Sequence, residues 1–516
     1  MFFSGKLRYV RLVGAVAILT STATAAPKAE DRICIYKGNP HYWQYKGKPV
    51  LLVGGSKDDN LFQLPEVEKH LQEMKAVGGN FVRNTMSDRN DKGFEVYPFK
   101  KLDNGKYDLN QWNEEYWKRF DNFMRKTHQL DIFVQIEVWD RFDYSQRNWE
   151  PHPYRPNNNI NYTTPSSGLA DRYPDPAWYD TQPFFHSIPG MPRYVKQLDT
   201  VRKYQEKFVA KMLSYSLKYG HVLYCMNNET STPPAWGRYW IAFIEKEAKK
   251  RGVSVYCTDM FNDGYKPETS GLLAQAYDDV RVYKFLDISQ INSRLFNEDQ
   301  WAKLMWVVKR IKKHPRPLNC VKIYGSGQTK WGSGTPVDGV ERLWRNLFAG
   351  CAAVRSHRDG AGIGLQPISK ACIKAVRKVE TLVKFWDVES HQELLSDRGK
   401  DEAYLIARPG DAYVLYFTSG GSVGLNMKRY DKDFRLKWID ISTGEWGKET
   451  HIRGGKIVQI KTPGKGPYAA VIMTSVSTGT DNYKKKRLLT ILKAVVSDIG
   501  NLAVIVRIIP GTIIMA

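Results

Sequence analysis

The sequence is poor in cysteine, and its six cysteines lack the spacing that metal sites require. No Cys-x-x-Cys pair occurs and no histidine pair lies near a cysteine, so we predict no metal centre. Four of the cysteines fall in apolar segments, where a free thiol packs as a small hydrophobe: Cys225, Cys257, Cys320 and Cys351. Core packing is therefore the favoured role, and one disulfide stays open as the alternative.

The motifs of several enzyme classes are also missing. The glycine-rich stretches 325–328 and 360–364 do not match a phosphate-binding fingerprint with its strand and helix context. No Gly-x-Ser-x-Gly elbow and no zinc-ligand spacing occur. These absences argue against nucleotide-dependent, serine-hydrolase and metal-dependent chemistry, and we predict no cofactor.

Acidic residues are scarce relative to basic ones. The chain has 77 Lys and Arg against 54 Asp and Glu, a formal charge of +23. The basic residues are spread along the whole chain rather than grouped as in a nucleic-acid footprint, so we predict no nucleic-acid partner. This charge attracts anionic polymers such as acidic or sulfated polysaccharides, and membrane surfaces, although a solvated, mixed surface is the simpler explanation.

Hydrophobic runs long enough to span a membrane are absent. Three basic residues precede the short apolar stretch 13–19, and Ala-Thr-Ala follows at 23–25, which is typical of a cleaved signal peptide. Because a span needs roughly 20 residues, an N-terminal anchor is the less favoured alternative. We predict a signal peptide over residues 1–25 and a secreted or periplasmic protein.

The C-terminal segment 476–516 does not have the pattern of a membrane span either. Lys493, Asp498 and Arg507 interrupt its apolar residues, and each charge costs about 2.5 to 3.5 kcal/mol at a bilayer centre. We predict a basic and apolar tail and no integral membrane span. An amphipathic extension and a poorly ordered end both remain open.

The sequence does contain eight short apolar runs that alternate with helical stretches. The runs are 50–53, 80–83, 132–139, 222–226, 253–257, 285–288, 318–324 and 350–355. Buried parallel strands are continuous apolar stretches, and eight such units favour closure of the sheet. We predict an α/β fold with a (β/α)8 TIM barrel over residues 38–390.

From about residue 395 the pattern changes to alternation of period two with frequent turns. We predict a small antiparallel β-sandwich over residues 395–475. Its segments 416–421 and 438–446 resemble a β module that sequence families name a collagen-binding domain and that commonly follows barrels of this kind. The name says little about the ligand here.

A long segment, 140–196, separates the third and fourth apolar runs and is rich in Pro, Asn, Tyr and Trp. Loops of this length are usually functional, and this one should fold over the barrel mouth. Its aromatic residues could stack on sugar rings or could hold the loop together: Trp149, Tyr154, Tyr162, Tyr173, Trp178 and Tyr179.

The fourth apolar run leads into Asn228 and Glu229. In a (β/α)8 barrel, residues that leave the C-terminal end of a strand line the active-site mouth. Asn-Glu at the end of the fourth strand resembles the acid/base signature of the cellulase-like (β/α)8 glycoside hydrolase superfamily. The resemblance implies hydrolysis of O-glycosidic bonds with Glu229 as general acid/base, Asn228 on the sugar 2-hydroxyl and Arg83 orienting the nucleophile.

The second carboxyl group is not where this resemblance would place it. In the superfamily a nucleophilic glutamate ends the seventh strand, where this chain has Lys322 and Tyr324 and no acid. We predict Asp287 and Glu341 as further catalytic candidates and Asp59 as a substrate-binding carboxylate. Retaining enzymes separate their carboxyls by about 5 to 5.5 Å and inverting enzymes by about 6.5 to 9.5 Å, and the sequence does not choose between them.

Basic residues cluster at the predicted mouth. His357 and Arg358 follow the eighth strand and join Lys322 and Arg83 in a cationic site that suits a uronate or a sulfated sugar. With Tyr324, we also predict Trp139, at the end of the third strand, as a substrate contact. His357 is either an ordinary hydrogen-bonded histidine or, less favoured, a proton donor.

The predicted function is that of a secreted glycoside hydrolase acting on a polysaccharide or oligosaccharide, with an anionic glycan as one option. The alternative is a non-catalytic glycan-binding or surface-adhesion protein built on a degenerate hydrolase barrel. The missing strand-seven glutamate is the reason for keeping that alternative.

Overall fold

The computed structural model describes residues 31–87, 89, 92–327 and 332–475, and the backbone of 507–509 and 512–514, which form an antiparallel pair. The predicted signal peptide lies outside the described residues, as does most of the predicted tail. Among the residues that are described, no helix has both the length and the apolar character needed to cross a membrane.

The first part of the chain supplies the strands of a barrel. In chain order the strands are β1 (Cys34–Ile35), β2 (Trp43–Tyr45), β3 (Lys48–Val50), β4 (Leu52–Gly55), β5 (Phe81–Thr85), β6 (Phe99–Lys101), β7 (Tyr107–Trp112), β8 (Phe133–Asp140), β9 (Val222–Asn228), β10 (Cys257–Thr258), β11 (Leu286–Asp287), β12 (Leu318–Ile323) and β13 (Ala353–Ser356). Parallel pairing runs in the orders β10-β9-β8-β5 and β11-β12-β13-β4.

Hydrogen bonds join these two parallel sheets at both seams. The amide of Asn80 donates to the carbonyl of Val53 at 2.9 Å, between β4 and β5. At the other seam the amide of Lys284 donates to the carbonyl of Cys257 at 3.2 Å. The eight strands β4, β5 and β8 to β13 therefore form a closed ring in chain order, which confirms the predicted (β/α)8 barrel.

Helices follow the barrel strands and cover the ring. The described helices are α1 (Val67–Ala76), α2 (Glu114–Gln129), α3 (Gln146–Trp149), α4 (Thr164–Ser167), α5 (Leu198–Ser216), α6 (Ala235–Lys250), α7 (Gly271–Asp278), α8 (Asn297–Arg310), α9 (Pro336–Phe348) and α10 (Pro367–Leu382). Helix α9 begins in a capping box, in which Thr335 and Asp338 each satisfy the other's backbone amide. Asp338 is therefore a helix cap.

The N-terminal hairpin β2–β3 closes the end of the barrel where the strands begin. The ring of Trp43 packs edge-on against Tyr256 and Phe285, with centroids 5.5 and 5.3 Å away. Its indole Nε1 donates to Asn319 Oδ1 at 3.0 Å inside the ring of strands. Ligands must therefore approach from the opposite end, where the strands finish.

The long segment between β8 and α5 packs around its own aromatic core. Tyr144 stacks on Phe184 with centroids 3.9 Å apart. Four of the six aromatics predicted to stack on sugars or to hold the loop are buried: Trp149, Tyr154, Tyr162 and Tyr173. These four therefore hold the loop together, whereas Trp178 and Tyr179 are exposed.

A β-sandwich follows the barrel. Its strands are β14 (Glu389–Ser390), β15 (Leu395–Ser396), β16 (Ala403–Arg408), β17 (Ala412–Phe417), β18 (Ser422–Asn426), β19 (Asp433–Asp440), β20 (Glu445–Arg453), β21 (Ile457–Lys461) and β22 (Tyr468–Thr474). Sheet β14-β16-β17-β22-β19-β20 packs on sheet β15-β18-β21, which confirms the sandwich. The first strand of the sandwich, β14, starts at Glu389, which lies inside the range predicted for the barrel. It belongs to the sandwich because it pairs with β16.

The other face of the larger sheet packs on barrel helices. Tyr416 stacks on Trp344 of α9 at 5.5 Å, and Tyr404 contacts Trp301 of α8 at 4.7 Å. Arg345 NH2 lies 3.0 Å from Asp401 Oδ2 across the same contact. All six cysteines are free thiols, and the four predicted to pack in the core are buried.

Candidate active site at the barrel mouth

A cavity of about 250 Å³ opens where the barrel strands end. Seven of the residues predicted for the site line it: Asp59, Asn228, Glu229, Lys322, Tyr324, His357 and Arg358. They come from the ends of the first, fourth, seventh and eighth strands of the ring. The fold thus assembles residues that are up to about 300 positions apart in the sequence.

Glu229 is held in an unusual backbone conformation. Its φ of 57° lies in the left-handed region, which costs a non-glycine residue on the order of 1 kcal/mol or more. The next residue, Thr230, fixes this turn, because its amide donates to Met260 at 2.8 Å and its carbonyl accepts from Asn262 at 2.9 Å. Strain of this kind concentrates at functional sites.

The carboxylate of Glu229 is surrounded by cations and donors. Lys322 Nζ donates to Glu229 Oε1 and to Asn228 Oδ1. Tyr324 donates its hydroxyl to the same Glu229 oxygen at 3.5 Å, and Arg141 lies 3.9 Å from Oε2. Burial opposes ionisation, but Lys322 and Arg141 outweigh it and lower the pKa of Glu229 to about 2. In the free protein at neutral pH this group is a carboxylate.

Lys322 lies on the strand that the superfamily resemblance would furnish with a glutamate. Its side chain is 2% exposed and reaches from the seventh strand to the Asn-Glu pair of the fourth strand. A buried charge is stable only when it is paired, and Glu229 is the carboxylate that it contacts. Lys322 and Glu229 therefore form one electrostatic unit.

Asp59 is the second carboxylate of the cavity. Arg358 Nε lies 3.0 Å from Asp59 Oδ2, Arg355 NH2 lies 3.6 Å from Oδ1, and Arg83 donates to Oδ1. Burial raises the pKa of Asp59, but these cations dominate and hold it well below its usual range. Asp59 is thus ionised, and several arginines share it.

His357 lies 3.5 Å from Asp59 through Nδ1. Burial, reinforced by nearby Arg83 and Arg355, lowers the pKa of His357 well below its usual range despite the opposing effect of Asp59. The imidazole is therefore neutral at physiological pH. This favours the role of an ordinary hydrogen-bonded histidine over that of a proton donor.

Arg83 lies beneath the cavity rather than on its wall. Its side chain is fully buried, and its Nε donates to Glu137 Oε1 at 2.6 Å. Burial raises the pKa of Glu137 to about 7, although Arg83 opposes this shift. Arg83 thus bonds both Asp59 and Glu137 and fixes the positions of their carboxylates.

Besides Arg83, three predicted site residues do not reach the cavity. Trp139 is fully buried among aromatic rings of the helix layer, 5.1 Å from Trp240. Asp287 accepts from Gln135 Nε2 at 2.7 Å deep inside the ring of strands. Glu341 pairs with Arg345 on α9, next to the sandwich. Packing, internal hydrogen bonding and an ion pair within α9 therefore occupy these three side chains.

The cavity also contains residues that the sequence prediction missed. They come from loops after the second, third, fifth and sixth strands: Arg89, Phe142, Asn262, Tyr265, Gln290, Ser293 and Arg294. Arg294 places its guanidinium over the ring of Tyr265, 4.9 Å from the centroid. The loops carry no periodic pattern, so only their position after a strand end could have indicated them.

A buried cluster inside the barrel has the composition of a metal site. Glu137, Cys225 and Asp287 each place one ligand atom within 4.8 Å of the others. However, Glu137 is bound by Arg83, and Asp287 accepts from Gln135 and from the amide of Ser289 at 2.9 Å. Hydrogen bonds within the protein thus satisfy both carboxylates, and we assign no metal ion to this cluster.

No protein-family model matches this sequence, and no curated protein matches it. Solved structures do share the fold. A glycoside hydrolase family 5 protein from Bacteroides vulgatus ATCC 8482 matches with a TM-score of 0.59 at 12% identity, over 87% of this chain and 94% of its own. A structure described as a glycoside hydrolase matches with a TM-score of 0.61 at 12% identity, over 88% of this chain and 99% of its own.

A further structure from Bacteroides vulgatus ATCC 8482, described as a candidate glycoside hydrolase, matches with a TM-score of 0.53 at 12% identity, over 87% of this chain and 84% of its own. Because these matches cover more of the chain than the barrel does, the likeness includes the sandwich. The barrel and the sandwich together therefore have the fold of these solved structures.

Proposed function

We propose that the protein acts on carbohydrate at the mouth cavity and hydrolyses O-glycosidic bonds, with Glu229 as its essential carboxyl. One observation carries this proposal: Glu229 and Asp59, from the fourth and first strands, line one sugar-sized cavity of a glycoside-hydrolase-type barrel. Glycosidic hydrolysis needs two carboxyl groups flanking the scissile bond. These two are the carboxylates among the described residues that line the cavity.

The electrostatics suggest how the two carboxyls divide the work. Three arginines hold Asp59 ionised, which suits a general base or a nucleophile. A general acid must carry a proton, and Lys322 keeps Glu229 ionised in the free protein. A ligand that draws Lys322 onto its own oxygens would remove this charge and allow Glu229 to take up a proton.

A second candidate is a non-catalytic glycan-binding or surface-adhesion protein. The observation that favours it is the identity of residue 322, where a buried lysine occupies the strand that would supply the nucleophilic glutamate. Such a protein would bind the same ligand without releasing product.

The distinguishing experiment measures binding and product release separately. Wild type and Glu229→Gln are incubated with neutral and anionic polysaccharides, and new reducing ends are counted. Glu449→Gln, on sandwich strand β20, is the matched control. We expect release by wild type and the control and none by Glu229→Gln. Equal release by all three would overturn the role of Glu229, and tight binding without release would establish the second candidate.

We also infer that the protein is exported, on the strength of the pattern in residues 1–25. Expression of the full sequence in a host with an export pathway, followed by N-terminal sequencing, tests this. We expect a mature chain that begins at Ala26 or Pro27. An uncleaved chain retained in the cytoplasm would contradict it.

A further inference from the structure

The cavity wall carries more positive than negative charge. Four cationic side chains line it, Arg89, Arg294, Lys322 and Arg358, against the two carboxylates of Asp59 and Glu229. A low-dielectric cleft lined by an excess of one sign attracts ligands of the other sign. A ligand gains most from those cations whose charge is not already compensated by a carboxylate of the protein.

Two of the four cations are already neutralised by their own carboxylates. Arg89 donates to Asp140 and, at 3.0 Å, to Asp143. Lys322 donates to Glu229. Neither therefore contributes an uncompensated charge in the free protein.

Arg294 differs from these two cations in its contacts. Among the described residues no carboxylate oxygen lies within 4.0 Å of its guanidinium, which rests on the ring of Tyr265. Its side chain is exposed at the cavity wall. A guanidinium in this setting retains donors for a planar anion.

Arg358 shares one carboxylate with two other arginines. Asp59 faces Arg83, Arg355 and Arg358, and Glu137 offsets only Arg83. Of the three guanidinium groups, those of Arg83 and Arg355 are fully buried, while Arg358 is 29% exposed. The surplus charge of this cluster is therefore accessible at Arg358.

Three of the four cationic residues, all except Arg89, occupy one side of the mouth. Arg294 follows the sixth strand, Lys322 belongs to the seventh and Arg358 follows the eighth, whereas Glu229 ends the fourth, across the ring from the eighth. A ligand bridging the cavity would place one group beside the arginines and another beside Glu229.

Two of the three aromatic rings that line the cavity, those of Phe142 and Tyr265, are already covered by guanidinium groups, and the third, Tyr324, packs edge-on against His357. Arg89 and Arg141 lie 5.4 and 5.1 Å from the ring of Phe142, and Arg294 covers Tyr265. Sugars pack their apolar faces on aromatic planes, but cations compete for these rings. With two of the three rings covered in this way, the cavity offers a ligand more charge than free aromatic surface.

We propose that the ligand is an anionic sugar, and that Arg294 and Arg358 bind its carboxylate or sulfate group on the side of the mouth formed by the sixth to eighth strands. This inference rests on the proposed action on carbohydrate and names the class of glycan. A carboxylate presents two coplanar acceptor oxygens, and a sulfate group presents three in a pyramidal arrangement. A guanidinium group can bind two oxygens of either one at once.

Calorimetric titration of the full-length protein tests the proposal. The ligands are a uronate oligosaccharide, its methyl ester, a sulfated oligosaccharide and its desulfated form, all of equal length. We expect the charged form of at least one pair to bind tenfold or more tightly than its neutral form. The two pairs show which oxyanion the site accepts. The preference should fall about tenfold in Arg294→Gln and in Arg358→Gln.

Arg281→Gln is the matched control, because Arg281 is an exposed arginine before β11, at the opposite end of the barrel. It should keep the wild-type preference, and Arg294→Lys, which keeps the charge, should retain part of it. Equal binding of charged and neutral forms, unchanged in both glutamine variants, would overturn the anionic class while leaving action on carbohydrate intact. Absence of binding to all four ligands, with product release from a neutral polysaccharide in the reducing-end assay, would also overturn the anionic class, whereas absence of both binding and release would overturn the proposed function itself.

Discussion

At the scale of single residues, the site depends on the pairing of Glu229 with Lys322. Both side chains are largely removed from water, at 16% and 2% exposure. Replacing one member of a buried pair leaves the other charge uncompensated. The pair therefore links the stability of the mouth to the protonation of one carboxyl.

This linkage predicts a pH-dependent stability difference between wild type and Glu229→Gln. The pKa of Glu229 is lowered in the folded state to about 2, so its stabilising effect is complete above its unfolded pKa of about 4.3 and is lost as the pH falls toward 2. We expect wild type to be more stable at pH 7 by up to about 3 kcal/mol, and the difference to disappear near pH 2. Urea unfolding at a series of pH values measures it.

A stability difference that stays constant from pH 7 to pH 2 would contradict this assignment. The amide of the variant does not titrate, so any change of the difference with pH must come from Glu229 in the wild type. Asp59 also has a lowered pKa, so its protonation at low pH costs stability as well. This loss of stability occurs in both proteins and cancels in the comparison. The readout is thus specific to residue 229.

The sequence could predict site residues where a strand end fixes the direction of a side chain. Glu229, Lys322 and His357 were found in this way. The same reasoning predicts Trp139 at the mouth, and this is wrong. Side chains two apart on a strand normally share a face, whereas Glu137 bonds Arg83 inside the ring and Trp139 packs on the helices. The local break in alternation at the end of β8 has no signal in the sequence.

At the scale of elements, apolar runs predicted all eight barrel strands but not their lengths. Strands β10 and β11 have only two residues each, although the runs that predict them have four or five. Arg294 was missed because it follows a short strand on an irregular loop, where side-chain direction is set by contacts such as that with Tyr265. Loop residues of this kind become visible only in three dimensions.

The segment between β8 and α5 should behave as a structured wall and not as a flexible lid. Trp149 is fully buried and its indole donates to the carbonyl of Ala170 at 3.0 Å, whereas Trp178 is 52% exposed. Trp149→Ala removes a buried aromatic, which costs about 3 to 5 kcal/mol. We expect rapid proteolytic cleavage within residues 141–197 of this variant and no change in Trp178→Ala. Equal cleavage of both variants would refute the distinction.

At the scale of the whole molecule, the barrel and the sandwich share a core. Tyr404, Val414 and Tyr416 on one face of the larger sheet belong to the same apolar cluster as the barrel helices. The sequence predicted both domains but not this contact, because a strand that is buried on both faces has the same apolar composition wherever its second face packs.

The shared core predicts that barrel and sandwich unfold together. Trp344 of α9 is fully buried and stacks on Tyr416 of β17, so Trp344→Ala removes a buried indole from the contact and costs about 3 to 5 kcal/mol. We expect one calorimetric transition for wild type and two for Trp344→Ala, because the weakened contact no longer couples the two cores. Trp178→Ala, at an exposed tryptophan of the segment between β8 and α5, is the matched control and should keep one transition. Two transitions in the wild type would mean that the sandwich is an independent module, since a core shared across Trp344 and Tyr416 cannot melt in separate steps.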